Sequence, residues 1–177
     1  MAKVKWNVDA AHSSLEFVVK HMMISKAKGV FNDFDAVIEA DPDNLEDATI
    51  QFTVDIASID TRKKERDEHL RSGEFFDVEN HPKMTFAATD IKKKSDSNYD
   101  VTGELTIRGT KKPVTFDVEY EGSGKDPWGQ EVAGFSGSTK ISRKEFGLTW
   151  NAALETGGVM IGDEVKINIE IEAIKEA

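Results

Sequence analysis

The segment Val165–Glu172, VKINIEIE, decides the fold class, because apolar and polar residues alternate through it without a break. A period of two is typical of a β-strand that buries one face and exposes the other. One strand cannot bury that face alone, so the segment predicts a sheet built from other parts of the chain.

The same alternation recurs along nearly the whole sequence. Eight or nine long antiparallel strands must close into a barrel or pair as a sandwich, because open edges invite aggregation. An immunoglobulin-like sandwich is the alternative, but it is usually shorter and has no helical insertion. We therefore predict an all-β, up-and-down, lipocalin-like barrel of eight strands, or nine, which is wide enough for one small ligand. The predicted inward residues are Val4, Trp6, Val8, Leu15, Phe17, Val19, Phe34, Ala36, Ile38, Ile50, Phe52, Val54, Ile56, Met84, Phe86, Ala88, Val101, Leu105, Ile107, Val114, Phe116, Val118, Tyr120, Ala133, Phe135, Gly137 and Thr139.

One segment departs from the strand pattern, at residues 58–82 with the sequence SIDTRKKERDEHLRSGEFFDVENHP. It predicts a single helix within the connection Ile59–Gly73, with Asp60 or Thr61 as its N-cap. Helical spacing places Arg66 and His69 on one stripe together with Leu70 and Gly73. The stripe would face the barrel mouth, while Asp67 would point away and pair with a cation elsewhere. A helix docked by Leu70 with its charges in water is the alternative.

Length and composition limit the classes of protein. The 177 residues fit one domain, 1–177, and the lack of cysteine excludes thiol catalysis and disulfides. The net charge of −10 disfavours nucleic acids and anionic bilayers as partners, although Arg62–Lys64 and Lys92–Lys94 form local basic spots. Neither a secretory leader nor an integral membrane segment is recognisable, so we expect a cytoplasmic protein; a chain whose leader had been removed would look the same.

The histidines are the remaining candidates for chemistry. Strand periodicity turns His21 inward, either as a hydrogen-bonded core residue or as a polar group that contacts a ligand. His12 lies in a turn-like segment, where we predict that its side chain makes a structural hydrogen bond. Histidine spacing does not match a zinc site, and no serine lies in a nucleophile elbow, so we predict neither a metal nor a catalytic residue.

Several ordered pieces of the sequence together resemble the YceI-like family of polyisoprenoid-binding, lipocalin-type barrels. They are DAAHSSLEFVVKH at 9–21, GVFNDF at 29–34, residues 58–86, GELTIRGTKKPV at 103–114, SRKEFGL at 142–148 and GDEVKINIEIEA at 162–173. The resemblance implies an eight-stranded barrel with a helix over its opening and an apolar tunnel for a polyprenyl chain or another long lipid. It also implies a homodimer by analogy and, in many members, a periplasmic location.

Resemblance and alternation together predict the site. The mouth or headgroup contacts are Arg66 and His69, the ligand is a non-covalent long-chain lipid, and no other cofactor is expected. The predicted tunnel lining consists of Phe17, Val19, His21, Phe34, Ile38, Phe52, Val54, Phe76 and Phe86.

Lipid carriage or sequestration is therefore the leading hypothesis. The first alternative is an enzyme that acts on a lipid or quinone, with His21 or His69 as acid or base. The second is a stress or scaffold protein whose barrel is filled by its own side chains.

Overall fold

A computed structural model describes residues 3–22, 24–151 and 160–176. Within these ranges, eleven strands join in one antiparallel sheet, together with one α-helix and four short 3-10 helices. The helix, α1, spans Lys64–Arg71. The strands are β1 (Val4–Val8), β2 (Ser14–His21), β3 (Ser25–Phe31), β4 (Phe34–Ala40), β5 (Thr49–Asp55), β6 (Ile59–Asp60), β7 (Lys83–Lys93), β8 (Asn98–Ile107), β9 (Thr110–Lys125), β10 (Glu131–Ser142) and β11 (Ile161–Lys175).

Eight of these described strands close into a barrel in the order β1–β4–β5–β7–β8–β9–β10–β11. The ring closes where β1 pairs with the end of β11, with Trp6 opposite Lys175 and Val8 opposite Ala173. Ring neighbours follow one another along the chain, apart from the steps from β1 to β4 and from β5 to β7 and the closing pair of β11 with β1. The predicted all-β, eight-stranded antiparallel barrel is therefore confirmed.

Three extra strands extend the sheet beyond the ring. The fifteen-residue β11 pairs with β1 near its end and with β2 over most of its length, so β1 and β2 lie along the same edge of β11. A short 3-10 helix at Ala10–His12 separates the two. β3 then pairs with β2, and the two-residue β6 pairs with β3. The alternation did not predict β3 or β6.

The helix lies inside the predicted connection, but its predicted N-cap is wrong. Lys63 occupies the N-cap position and makes no side-chain capping bond. Asp60 instead accepts a hydrogen bond from the Arg62 amide, in a turn where Arg62 has a left-handed φ of 66°. Thr61 is bound to other side chains. Among the described residues, no helix is long and apolar enough to cross a membrane.

The pairing of the strands distinguishes the two ends of the barrel. β10 leaves the β9–β10 turn at Glu131 and reaches Ser142, which lies close to the start of β11. His21, at the end of β2, pairs with Ile161 at the start of β11, so the β2–β3 turn lies at this same end. Arg108 in the β8–β9 turn bonds to Gly73, just after α1, and so places α1 there too. We call this the α1 end; Trp128, in the β9–β10 turn, marks the opposite end.

Candidate functional site

The barrel encloses a cavity of about 500 Å³. Its wall is made mostly of apolar side chains, because the inward phase of nearly every ring strand carries valine, leucine, isoleucine or phenylalanine. Ligand sites in proteins have volumes of about 300–1,000 Å³ and predominantly apolar linings. The interior is therefore a hollow of ligand size inside the hydrophobic core.

Most of the predicted tunnel residues line this cavity. They are Phe17, Val19, His21, Ile38, Phe52, Val54, Phe76 and Phe86. The predicted mouth residues, Arg66 and His69, also line it. Contact between these side chains and a ligand stays a prediction.

Phe34 does not line the cavity. It is the first residue of β4 and pairs with Val54, so its strand phase is the inward one. It is half-buried and packs against the hydrophobic core, and it borders a smaller, shallow depression with Asp35 and Lys83. The phase was predicted correctly, but a position on the inward face does not guarantee access to the void.

Several residues that line the cavity were not among the tunnel residues predicted from the sequence. The strands of the second half contribute as much wall as those of the first half, and the same alternation could have assigned them. Trp150 and β3, in contrast, gave no clear signal. The additional lining residues include Ala27, Phe31, Leu105, Phe116, Trp150, Ile167 and Ile169.

Polar side chains line the cavity at the α1 end. Lys20, Lys63 and Glu65 line it and are also exposed to solvent, so the cavity reaches the surface beside α1. We call this region the cavity mouth. Its polar residues are Lys20, His21, Thr61, Lys63, Glu65, Arg66, His69 and Arg143.

A hydrogen-bond network around Thr61 holds α1 at the mouth. Arg66 donates from Nε to the Thr61 hydroxyl at 2.8 Å and from Nη2 to the Thr61 carbonyl at 2.6 Å. The buried carboxylate of Asp67 accepts bonds from the Thr61 amide and hydroxyl. Asp67 therefore fixes the chain ahead of its own helix, and among the described residues it has no cationic partner, contrary to the prediction. Arg66 is at once a cavity residue and an anchor of α1.

Aromatic rings surround His69 on α1. Its ring lies edge-on to Phe75 at 4.9 Å and to Trp150 at 4.6 Å, measured between centroids. Its Nε2 lies 3.6 Å from a carboxylate oxygen of Glu74. These contacts hold the imidazole at the boundary between the apolar wall and solvent.

His21 is the last residue of β2 and lines the cavity as strand periodicity predicts. It is half-buried, and within the described part of the chain its imidazole has no hydrogen-bond or ion-pair partner. This placement favours the ligand-contacting interpretation over that of a hydrogen-bonded core histidine. Whether His21 touches a ligand stays a prediction.

Arg143 is a buried cation that the sequence did not reveal. Only 3% exposed, it donates to the backbone carbonyls of Leu148, Trp150, Ile161 and Gly162. Burial lowers the pKa of its guanidinium, and attraction to Asp163 partly offsets this effect. The side chain thereby ties the 3-10 helix Arg143–Phe146 to the start of β11.

Arg108 clamps the α1 end of the barrel from the β8–β9 turn. Its Nη1 donates to the Gly147 carbonyl at 2.7 Å, and its Nη2 donates to the Gly73 carbonyl at 2.8 Å. One side chain thus joins three connections that are far apart in sequence. Gly147 has a φ of 82°, a conformation that glycine adopts without strain.

Asp9, His12 and Glu172 offer three ligand atoms within 4.8 Å of one another, where the chain passes from β1 to β2. His12 Nδ1 lies 2.8 Å from Asp9 and 3.0 Å from Glu172. The hydrogen bond between His12 and Asp9 raises the pKa of His12 and lowers that of Asp9. The predicted structural hydrogen bond of His12 is therefore present. None of the three residues lines the cavity, and the absence of a metal stays a prediction.

Comparisons with known proteins agree with this geometry. The sequence matches the YceI-like domain over residues 6–173. A UPF0312 protein of Staphylococcus epidermidis is 43% identical over 169 residues, which cover 95% of this chain and 96% of the relative. The crystal structure of BcnA from Burkholderia cenocepacia superposes with a TM-score of 0.82 at 29% identity, covering 93% of this chain and 98% of BcnA.

A polyisoprenoid binding domain from Saccharophagus degradans has the same fold, with a TM-score of 0.75 over 98% of this chain and 99% of that domain, at 14% identity. Because the match to the YceI-like domain and to the staphylococcal relative spans nearly the whole chain, the protein belongs to the YceI-like family.

Proposed function

We propose that the protein binds a long-chain apolar lipid, a polyisoprenoid or a molecule of similar shape, and sequesters or carries it inside the barrel. The observation that carries this proposal is the cavity of about 500 Å³, whose wall is predominantly apolar and whose cationic side chains lie at the mouth beside α1. An amphiphile with a long apolar tail and a small polar head has the same division of polarity.

The energetic cost of an empty cavity supports a ligand. Voids left by deletion of core side chains cost about 24 cal/mol per Å³. A closed, dry void of 500 Å³ would cost about 12 kcal/mol at that rate, which is comparable to the whole stability of an ordinary domain. Because this cavity opens to solvent at its mouth, the figure is an upper limit for the cost of leaving it without a ligand. A hollow of this size favours a bound molecule over a packing defect, and it argues against a barrel filled by its own side chains.

Apolar burial supplies enough free energy for binding. At about 25 cal/mol per Å² removed from water, a lipid that buries about 400 Å² gains on the order of 10 kcal/mol before the costs of association. The wall would select ligands by length and girth. The polar mouth, with Arg66 and His69, would select the head.

The named fold neighbour adds limited support. The domain from Saccharophagus degradans is described as polyisoprenoid binding, but 14% identity relates the two folds and not their ligands. The proposal that this chain takes a polyisoprenoid rests on the cavity. Transport between membranes and a cytoplasmic location are parts of the proposal that fractionation and transfer assays would test.

An enzyme that modifies a lipid or quinone is the second candidate, because His21 and His69 both line the cavity. Its test is turnover of a bound lipid that is lost on substitution of either histidine by alanine. Carriage requires no reaction, only an apolar cavity and an entrance.

Extraction with organic solvent followed by mass spectrometry tests the proposal. Protein purified from its host should release a long-chain lipid in near-stoichiometric amount. Val54→Lys should reduce the recovered lipid, because residue 54 lies on the cavity wall, whereas Thr53→Lys on the outer face should not. Recovery of no lipid from a folded protein, even after incubation with polyisoprenoids, would refute the proposal.

A further inference from the structure

Apolar side chains protrude from the turn between β2 and β3. Ile24 is 84% exposed and Met22 is 39% exposed, although both are large hydrophobic residues. Met22 directly follows the cavity residue His21, and its amide donates to the carbonyl of Met160, which also lines the cavity. We call Met22 and Ile24 the hairpin tip. The tip therefore stands beside the cavity mouth.

Exposed cations lie on both sides of the tip. Lys20 and Lys26 face each other across the β2–β3 pair, and Lys28 follows on β3. β6 pairs with β3, and Thr61 lies against Gly29, so the following residues 62–64 run past β3 towards the tip. We call the six side chains the basic collar: Lys20, Lys26, Lys28, Arg62, Lys63 and Lys64, all exposed.

The collar contrasts with the charge of the whole protein. Residues 14–31 and 59–66 together carry seven lysines and arginines and three carboxylates, in a chain of net charge −10. Within the described ranges, no collar side chain forms an ion pair, whereas lysines elsewhere, such as Lys83 and Lys94, do. The positive charges at the mouth are therefore available to an external anion.

From these observations we infer that the hairpin tip and the basic collar dock the protein, mouth first, on the surface of an anionic phospholipid bilayer. The inference rests on the proposed function, because a carried lipid must leave or enter a bilayer. The tip would insert at the level of the headgroups while the collar contacts lipid phosphates, which brings the cavity mouth to the membrane surface.

A bilayer fits this surface better than a protein partner does. Stable protein interfaces bury about 1,200–2,000 Å², centred on a packed apolar patch. Two protruding side chains ringed by lysines offer no such patch, but a few apolar residues with basic flanks are enough for reversible adsorption to anionic lipid. The combination of shallow insertion and charge therefore points to a lipid surface.

The opposite end of the barrel provides a control within the same chain. Trp128 is 82% exposed in the β9–β10 turn and is the largest exposed apolar side chain among the described residues. Residues 119–131 around it carry four carboxylates and one lysine. Hydrophobicity alone would favour docking through Trp128, whereas hydrophobicity combined with charge favours the hairpin tip.

Vesicle co-sedimentation tests the inference. Vesicles of equal parts phosphatidylglycerol and phosphatidylcholine should bind the protein, and vesicles of pure phosphatidylcholine should bind it weakly. Ile24→Asp should lower the partition coefficient on the anionic vesicles about tenfold or more, and Lys26→Glu should lower it about fivefold or more per unit of charge removed. Trp128→Asp should leave it unchanged. Equal loss from Ile24→Asp and Trp128→Asp, or equal binding to both kinds of vesicle, would overturn the inference.

Further measurements separate this inference from the proposed function. Ile24→Asp protein should keep its melting temperature and its solvent-extractable lipid, since residue 24 lies outside the cavity wall. Wild-type protein that carries lipid but does not bind anionic vesicles refutes the docking surface and leaves the function standing. Protein that binds the vesicles through Ile24 but carries no lipid refutes the function alone. Stoichiometric binding of a purified protein partner through the tip, without vesicle binding, would also overturn the inference.

Discussion

His12 shows at the scale of a single residue how an exposed side chain makes the fold sensitive to pH. Its Nδ1 lies within 3.0 Å of carboxylate oxygens of both Asp9 and Glu172. The hydrogen bond to Asp9, with attraction to Glu172, raises the pKa of His12 in the folded protein. Protonated His12 therefore stabilises the fold fully below pH about 6.5, and this stabilisation is lost as the pH rises through the folded pKa.

Asp9 acts in the opposite direction, because its folded pKa is lowered, first by the hydrogen bond from His12. Its contribution is present above pH about 3.9 and is lost as the pH falls through the folded pKa. We therefore expect His12→Ala to lower the melting temperature more at about pH 5.5 than at about pH 8.5.

Titration of the His12 ring by NMR should also give a pKa above its ordinary value, and Glu172→Gln should lower it. Equal melting-temperature losses at the two pH values would show that protonated His12 does not stabilise the fold. A His12 pKa unaffected by Glu172→Gln would show that Glu172 does not interact with His12 in solution.

Arg108 joins three connections at the α1 end, and a matched arginine isolates the effect of its bonds. Arg108 and Arg62 both have left-handed backbone, with φ of 49° and 66°. Arg108 donates to two backbone carbonyls, whereas Arg62 is exposed in the collar. Arg108→Met should lower the free energy of unfolding by about 2 kcal/mol, since hydrogen bonds from a charged donor are lost. Arg62→Met should change it by about 0.5 kcal/mol or less. Urea denaturation measures the free energy of unfolding of both variants. Equal losses from Arg108→Met and Arg62→Met would show that the hydrogen bonds of Arg108 do not stabilise the fold.

At the scale of the element, α1 depends on the single carboxylate of Asp67. Asp67 is buried and accepts two bonds from Thr61, whereas its neighbour Glu68 is exposed. Asp67→Ala should destabilise the protein by about 2–4 kcal/mol, because the buried amide and hydroxyl of Thr61 lose their partner. Glu68→Ala should have little effect.

The same pair of variants tests the role of α1 as a lid. Asp67→Ala should also speed release of bound lipid, because α1 borders the cavity mouth. Fluorescence-monitored unfolding and lipid-transfer kinetics provide the two measurements. Loss of stability with unchanged release would mean that α1 does not gate the cavity.

The elements that the sequence did not predict have physical causes. β3 carries Ala27 and Gly29 on its cavity face, and a Cβ on Gly29 would lie 2.4 Å from the Phe17 ring. The ring of Phe17 on β2 occupies the space beside β3. The facing residues of β3 must therefore have small side chains, and the strand shows little hydrophobic alternation. β6 has only two residues, too few for any period. The N-cap of α1 was wrong because Thr61, a good capping residue, bonds instead to Asp67.

At the scale of the whole molecule, alternation predicted which faces point inward, because the strand period is tied to covalent geometry. It therefore identified the barrel and placed most of the predicted lining residues on the face that borders the cavity. It could not predict that Arg143 would bond to carbonyls of segments five to nineteen residues away. Nor could it decide between a filled and a hollow barrel, which depends on the summed volume of the inward side chains against the radius of the ring.

Enlarging one wall residue distinguishes the hollow barrel from the filled one. Val54 is buried and lines the cavity, and Thr53 beside it is exposed on the outer face. In a filled barrel, Val54→Phe would overpack the core and cost about 1–3 kcal/mol. In a hollow one, the added ring occupies void, so the free energy of unfolding of lipid-free protein should stay the same or rise.

The bound lipid should respond in the opposite sense. Val54→Phe should lower the amount of long-chain lipid recovered by extraction and shift the remainder to shorter chains, whereas Thr53→Phe should change neither. Unchanged or higher stability together with a lower lipid recovery is expected only if the interior is a ligand cavity. A Val54→Phe protein that loses stability and keeps its full load of lipid would place the ligand somewhere other than this cavity.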